Sequence, residues 1–394
     1  MAREYNTIYT YTWDLHDEGI DRALDRIAEA GLTNISLAVS YHISTYFLPH
    51  NPKRKLYYGE DGAVYFQPDP GRYDRTRLRA RVSHVVTGPD YLPVLVEGLR
   101  KRGLGFTAWI VYFYNHHMAR TFPDCAKQDA FGNPYLAQLC PACPDVREYV
   151  LALTDDVVGN YRPDGVYIES LSYLRFNYGF MNPKVFAEIP PRLQFLMGLC
   201  FCPSCTEAAS RAGMDGDAFR AEVAALLERE LAKVPGPAEQ MPVDDEFLDT
   251  ALGGKLRKYL DVRTETASSL FEAVVGKARS YGNVRAETAL LSKTGQAFSG
   301  LDAARLLPLI DVVSTGIPDQ RADIAPALQK HRAVLAGETR LLGNIGPADM
   351  FPEVLSDKIG GMREAGGDGF TFYNYGLVRE QQIRWVGEAL KEKR

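Results

Sequence analysis

Two glutamates and a knot of cysteines are the residues of this chain best suited to chemistry. Glu169 ends the apolar run Gly165 to Glu169, and Glu338 ends the run Ala333 to Glu338. Two carboxylic acids facing each other across a cavity are the equipment of glycoside hydrolysis. One protonates the leaving oxygen and, in retaining enzymes, the other attacks the anomeric carbon from about 5 to 5.5 Å away. Glu287, ending the run Asn283 to Glu287, is the rival for either place and otherwise a group for binding a sugar hydroxyl. The competing reading is an ordinary salt bridge, with Arg285, Arg332 or Arg340 neutralising a glutamate.

Five of the six cysteines fall in two clusters: Cys140 and Cys143, then Cys200, Cys202 and Cys205 in a C-x-C-x-x-C pattern. Thiolates this close in sequence can converge on one ion, and four of them make a closed tetrahedral zinc site that holds structure and leaves no position for water. Cys140, Cys200, Cys202 and Cys205 are the expected ligands, with Cys143 competing for the fourth place and Cys125 a bystander. Disulfides are disfavoured because no secretion signal is visible.

Supporting groups gather after other apolar runs. His42, Asn115, His116 and His117 offer neutral donors and acceptors for hydroxyls. Trp13, Trp109, Tyr173, Tyr373, Asn374 and Tyr375 are candidates for stacking on sugars, with Trp109 equally suited to a core. A metal held by His42, His116 and a glutamate would instead mean isomerase or lyase chemistry, although no metal-ligand spacing motif accompanies them.

The elements that must position these residues alternate regularly. Eight short apolar runs, Thr7–Trp13, Asn34–His42, Phe106–Asn115, Gly165–Glu169, Asn283–Glu287, Asp311–Gly316, Ala333–Glu338 and Gly369–Tyr375, are each followed by a helical stretch. Among these stretches are Asp145–Asn160, Gly254–Arg279 and Glu380–Lys393. This is the pattern of an α/β fold, a single (β/α)8 TIM barrel over 1–394, whose chemistry sits at the C-terminal strand ends. Glu169 and Glu338 are then expected at the ends of strands four and seven. Two connections are longer than a barrel needs: 43–90, where Lys55–Tyr58 and Ala63–Phe66 flank a Gly-containing turn and predict a hairpin, and 170–250, which carries the cysteine cluster.

Composition narrows the function. Asp and Glu (50) outnumber Lys and Arg (45), the net charge is -5, and no basic run occurs, which speaks against nucleic acid. No apolar stretch follows Arg3 and none elsewhere approaches a membrane span, so the cytoplasm is the expected compartment. A small carbohydrate is the expected partner, and the oligomeric state is left open.

The residues quoted resemble the family 42 β-galactosidases and related uncharacterised glycoside-hydrolase-like barrels. That family shows a cysteine before a helix with Pro and Arg-Glu, then the acid/base glutamate on strand four, then C-x-C-x-x-C. Here Leu139-Cys140-Pro141-Ala142-Cys143-Pro144-Asp145-Val146-Arg147-Glu148, then Asp164-Gly165-Val166-Tyr167-Ile168-Glu169, then Cys200, Cys202 and Cys205 keep that order. The similarity covers about residues 100–210. It implies a retaining glycosidase with Glu169 as acid/base, Glu338 as nucleophile and zinc on the four cysteines. The family places Asn just before the acid/base, whereas Ile168 stands here, so that side chain's hydrogen bond to the sugar 2-hydroxyl is missing or supplied elsewhere. A barrel that binds carbohydrate without cleaving it is the alternative this departure favours.

Overall fold

The computed structural model describes residues 4–236 and 240–392, apart from the side chains of Lys293 and Thr294. Residues 237–239 of the second insertion and Lys393 of the expected last helix lie outside the described residues.

Eight parallel strands follow one another around a ring: β1 (Tyr5–Tyr11), β2 (Asn34–Tyr41), β3 (Gly105–Val111), β4 (Gly165–Glu169), β5 (Arg285–Ala289), β6 (Val312–Gly316), β7 (Arg340–Ile345) and β8 (Gly369–Phe372). β1 is hydrogen-bonded to both β2 and β8, which closes the sheet into a barrel. Helices such as Ile20–Glu29, Leu92–Lys101, Pro144–Tyr161, Lys255–Arg279 and Pro352–Glu364 form the outer ring.

Strand alternation sorts the side chains into two populations. Ile35, Leu37, Val39, Phe106, Ala108, Ile110, Val166 and Ile168 point outward into the main apolar core beneath the helices. Their neighbours fill the barrel in tiers, the middle one aromatic, with Tyr9, Trp109 and Tyr167 in edge contact.

The lowest tier is polar. Tyr5 donates to Glu287 Oε1 at 2.9 Å, Thr107 Oγ1 lies 3.0 Å from the same oxygen, and Arg285 Nε reaches it at 3.1 Å. Asn34, Thr7 and Ser36 continue the network. Gly165 is needed opposite, because a Cβ there would stand 2.4 Å from Glu287 Oε1. Burial pushes the Glu287 carboxyl upward, opposed by Arg285 and by the hydrogen bonds from Tyr5 and Thr107. Glu287 is therefore part of the barrel floor, not the sugar-binding group expected from its position at the end of an apolar run; the strand continues to Ala289.

Two further expectations are corrected. The apolar run Ala333–Glu338 is not strand seven: helix Arg321–Arg332 ends there and the chain turns, with Val334 57% exposed. The strand is Arg340–Ile345, so Glu338 is an exposed turn residue just before β7, at the N-terminal end of the barrel. The predicted hairpin is also partnered differently. Leu56–Tyr58 pairs with Thr45–Phe47, while Ala63–Val64 joins the barrel sheet beside β2. The second insertion folds into helices including Pro191–Met197, Pro203–Arg211 and Gly216–Leu231 around an apolar cluster of its own.

Glu287→Ala should lower the unfolding free energy by about 3 kcal/mol, since it strands Arg285 and two hydroxyls without their acceptor. Urea unfolding followed by fluorescence tests this; wild-type stability in the variant contradicts the floor assignment.

Candidate active site at the barrel mouth

Glu169 is the last residue of β4 and the chain turns sharply after it, with Ser170 in the left-handed region at φ 56°. Because Val166 and Ile168 are taken by the outer core, Tyr167 and Glu169 must face inward. Trp109, on the neighbouring β3, donates its indole N–H to Glu169 Oε2 at 2.5 Å. Burial among aromatic rings raises the Glu169 carboxyl above its usual range, and the Trp109 hydrogen bond pulls in the opposite direction. The negative form of Glu169 in turn helps to raise Tyr9, Tyr41, Tyr167 and Tyr178, after the larger contribution of burial to each.

Above this carboxyl lies a cluster of phenols. The Tyr11 and Tyr373 hydroxyls are 3.0 Å apart, and Tyr41 lies 3.5 Å from Tyr373. Tyr373 is thus at the mouth, just after the end of β8. On the side of β2 and β3, His42 lies between the rings of Tyr41 (4.3 Å) and Tyr114 (4.4 Å), with Nδ1 at 2.9 Å from the Ile43 carbonyl. Burial lowers its pKa and so favours the neutral ring, against a smaller opposing effect of that carbonyl.

His116 is buried at the rim, its Nε2 3.1 Å from the Gly179 carbonyl. Its backbone N–H donates to Asp61 Oδ1 at 3.1 Å, and its Nδ1 lies 3.5 Å from the same oxygen. Asp61, in the Gly-containing turn of the first insertion, thus brings a second carboxylate to the rim. The one signal for it in the sequence is an acidic pair flanked by glycines, Gly59-Glu60-Asp61-Gly62, inside a long connection on the catalytic side. Gly62 has φ 59°, and a Cβ there would collide with Asn115.

The other expected sugar contacts are not at the surface of this site. Trp13 is fully buried, stacked on Tyr11 at 4.4 Å beneath the first insertion. Asn115 spends its side-chain oxygen capping helix His116–Thr121, accepting from Met118 N at 2.9 Å. Asn374 is fully buried and accepts from Gly376 N at 3.1 Å. These three are structural residues. Glu338 and Glu169 are at opposite ends of the barrel and cannot flank one bond.

The cysteines converge as a set. Cys140 Sγ lies 3.5 Å from Cys205, 3.7 Å from Cys200 and 3.4 Å from Cys202, and all four sulfurs fall within 4.8 Å of one another. Metal–sulfur bonds of about 2.3 Å in a tetrahedron place sulfurs roughly 3.8 Å apart, so the donor set fits an ion. Cys143 pairs instead with Cys125 at 3.4 Å. Among the described residues this is the one group of His, Cys, Asp or Glu side chains placed to share an ion, and the histidines at the rim are not so arranged.

Two buried cations stand beside the sulfurs, and neither has a carboxylate within salt-bridge distance among the described residues: Lys127 and Arg263. Burial pulls Lys127 down to about 7, while Cys200 and Cys140 act to keep it charged. Cations so placed fit a cluster of thiolates, the state that a bound metal enforces. Lys127 Nζ also donates to the carbonyls of Leu174 (2.9 Å) and Gly198 (3.2 Å), tying the loop after β4 to the cysteine-bearing segment.

No sequence-family profile matches the chain, and no curated protein matches it by sequence. Solved structures do share the fold. The glycoside hydrolase domain of PgaB (BpsB) from Bordetella bronchiseptica superposes with a TM-score of 0.61 at 12% identity, covering 100% of both chains. A catalytic mutant of Gan42B, a GH42 β-galactosidase from G. stearothermophilus, gives 0.57 at 13% identity over 99% of this chain and 57% of its own. The β-galactosidase of the psychrophilic Marinomonas ef1 gives 0.55 at 10%, over 98% and 59%. The chain thus has the (β/α)8 fold of glycoside hydrolase domains, and it spans a little over half the length of those β-galactosidases.

Protein purified under reducing conditions should carry one tightly held metal ion per chain by elemental analysis. Cys140→Ser should lose it and Cys143→Ser should keep it; equal metal content in both variants contradicts the ligand set.

Proposed function

We propose that this protein hydrolyses glycosides, with Glu169 as the group that gives a proton to the leaving oxygen. The observation that supports this most is the state of Glu169: a carboxyl at the C-terminal end of β4, enclosed by aromatic rings that raise its pKa toward the acid form. A general acid needs its proton at the working pH, and burial moves Glu169 in that direction. Tyr373, half-buried at the mouth, offers a ring and an O–H of the kind that hold sugars, while buried Trp109 acts through its hydrogen bond to Glu169. The likeness in fold to glycoside hydrolase domains agrees with the reading.

The retaining pair drawn from the sequence is not retained, because Glu338 lies on the wrong end of the barrel. Asp61, held by the His116 N–H, is the other carboxylate at the rim, and it is not among the groups that act on the Glu169 carboxyl. The alternative of a barrel that binds carbohydrate without cutting it is favoured by one observation: both carboxylates expected beside Glu169, at 287 and 338, are elsewhere. We further infer that the four-cysteine site holds zinc in a structural role, since four thiolates leave no open coordination position. None of the six cysteines is joined in a disulfide, which suits a reducing compartment. Among the described residues no helix is long and apolar enough to cross a membrane.

Glu169→Gln should cut turnover of aryl glycosides with poor leaving groups by about a thousandfold or more, while Glu338→Gln leaves it unchanged. Equal activity in wild type and Glu169→Gln overturns the assignment. The pH profile gives a second check. Because the acid form is the working one, the rate should fall as pH rises through the raised pKa of Glu169. Trp109→Phe removes a hydrogen bond that favours the anion, so that alkaline limb should move to higher pH; a shift to lower pH contradicts the role given to the indole.

A further inference from the structure

Two of the six cysteines have no part in the four-sulfur site, and the fold sets them against each other. Cys125 ends the short helix Pro123–Cys125, and Cys143 is the N-cap of the 18-residue helix Pro144–Tyr161. They stand 18 positions apart in the chain, yet their sulfurs are 3.4 Å apart. Backbone hydrogen bonds hold both ends of this segment: Cys140 N donates to the Cys125 carbonyl at 3.0 Å, and Cys143 N donates to the Cys140 carbonyl at 3.1 Å. Between the two thiols the chain runs out and back through the antiparallel pair Ala126–Gln128 and Pro134–Leu139. The thiols therefore sit at the base of a hairpin.

A disulfide needs its sulfurs about 2.05 Å apart, so roughly 1.4 Å of approach remains, which modest rotation about the two Cα–Cβ bonds covers. The pair lies one side chain below the surface. Both cysteines are buried, and Arg77 of the first insertion crosses over them. Its guanidinium is 3.3 Å from Cys125 Sγ, pairs with Asp124 beside Cys125, and reaches Asp145, two residues past Cys143, at 2.8 Å. The Arg77 side chain is 47% exposed and that of Asp124 61%. Ion pairs as exposed as this are weak, so the cover opens readily to a small molecule while the burial beneath it excludes a large one.

We propose that Cys125 and Cys143 are a site of reversible oxidation, which forms a disulfide when the protein meets a peroxide. One sulfur takes an oxygen as the O–O bond of hydrogen peroxide breaks, giving a sulfenic acid and a first water; the sulfur of the other thiol displaces that oxygen as a second water, and the S–S bond forms. Two thiols are oxidised and one peroxide is reduced. The bond closes the loop that ends beside Cys140 and so limits opening of the segment that presents this residue to Cys200, Cys202 and Cys205. The inference is independent of the hydrolase reading.

The test uses the full-length protein, reduced and then freed of reductant, and a graded series of hydrogen peroxide. Remaining thiols are alkylated, and the digested peptides are read by mass spectrometry with and without dithiothreitol. The first oxidised species should be a pair of peptides joined through Cys125 and Cys143, formed before Cys140, Cys200, Cys202 or Cys205 is modified and separated again by dithiothreitol. Cys125→Ser should give no such cross-link and leave Cys143 to pass to the sulfinic acid, which dithiothreitol does not reverse. A first disulfide between any other two cysteines, or direct conversion of Cys125 and Cys143 in the wild type to sulfinic acids, overturns the proposal. So does a pair that stays reduced at peroxide levels that modify the other four.

Discussion

Convergence of four sulfurs from two distant segments is the constraint on which the shape of the catalytic side depends. Cys140 ends the segment that follows β3, and Cys200, Cys202 and Cys205 belong to the insertion after β4. That insertion has an apolar cluster of its own but must be held in one orientation over the barrel. The sulfurs do this, and the two buried cations beside them tie their charge to the surrounding backbone. Lys127 gives two of its N–H bonds to the carbonyls of Leu174 and Gly198, and Arg263 gives its own to those of Ala297 and Phe298 near the end of helix Lys293–Ser299. Isolated buried cations are costly, and among the described residues the N–H groups of these two go to backbone carbonyls rather than to carboxylates.

Glu169 illustrates how a parallel barrel tunes one acid. The outward residues of β4 are claimed by the helix layer, which forces the carboxyl into a space already filled with aromatic rings. Desolvation then favours the protonated form, while a single indole N–H keeps the anion accessible. Among the described residues no cation pairs with it, in contrast to Glu287 in the floor of the same barrel, where Arg285 lies 3.1 Å away in a structural network. The two glutamates have the same chemistry in sequence and opposite surroundings in space.

The fold was legible because period-two apolar runs alternating with helical stretches survive any error in their ends. β4 agreed to the residue, while the choice between Cys140 and Cys143 was open in the sequence and is made by the structure, where Cys140 joins Cys200, Cys202 and Cys205 and Cys143 lies against Cys125. What failed was register. Ala333 to Gly337 is apolar enough to pass for a strand, but it is the exit of a helix, and shifting strand seven to Arg340–Ile345 carries Glu338 from one end of the barrel to the other. Glu287 failed for a related reason: its strand runs two residues farther than expected, so the side chain sits within the barrel instead of at its rim. Trp13, Asn115 and Asn374 follow their strands by the right interval, yet capping and core packing use them up. Nothing local in the sequence distinguishes an asparagine that caps a turn from one that meets a ligand. Asp61 was obscured because its role depends on a contact with His116 across a separation of 55 residues.

The hydrogen-bonded floor has a consequence for traffic. With Tyr5, Thr107, Glu287, Arg285 and Asn34 linked across the lower end, and rings stacked above them, the barrel is a cup rather than a pipe. Whatever reaches Glu169 arrives and departs on the same side, so a departing fragment and an incoming molecule must share one entrance.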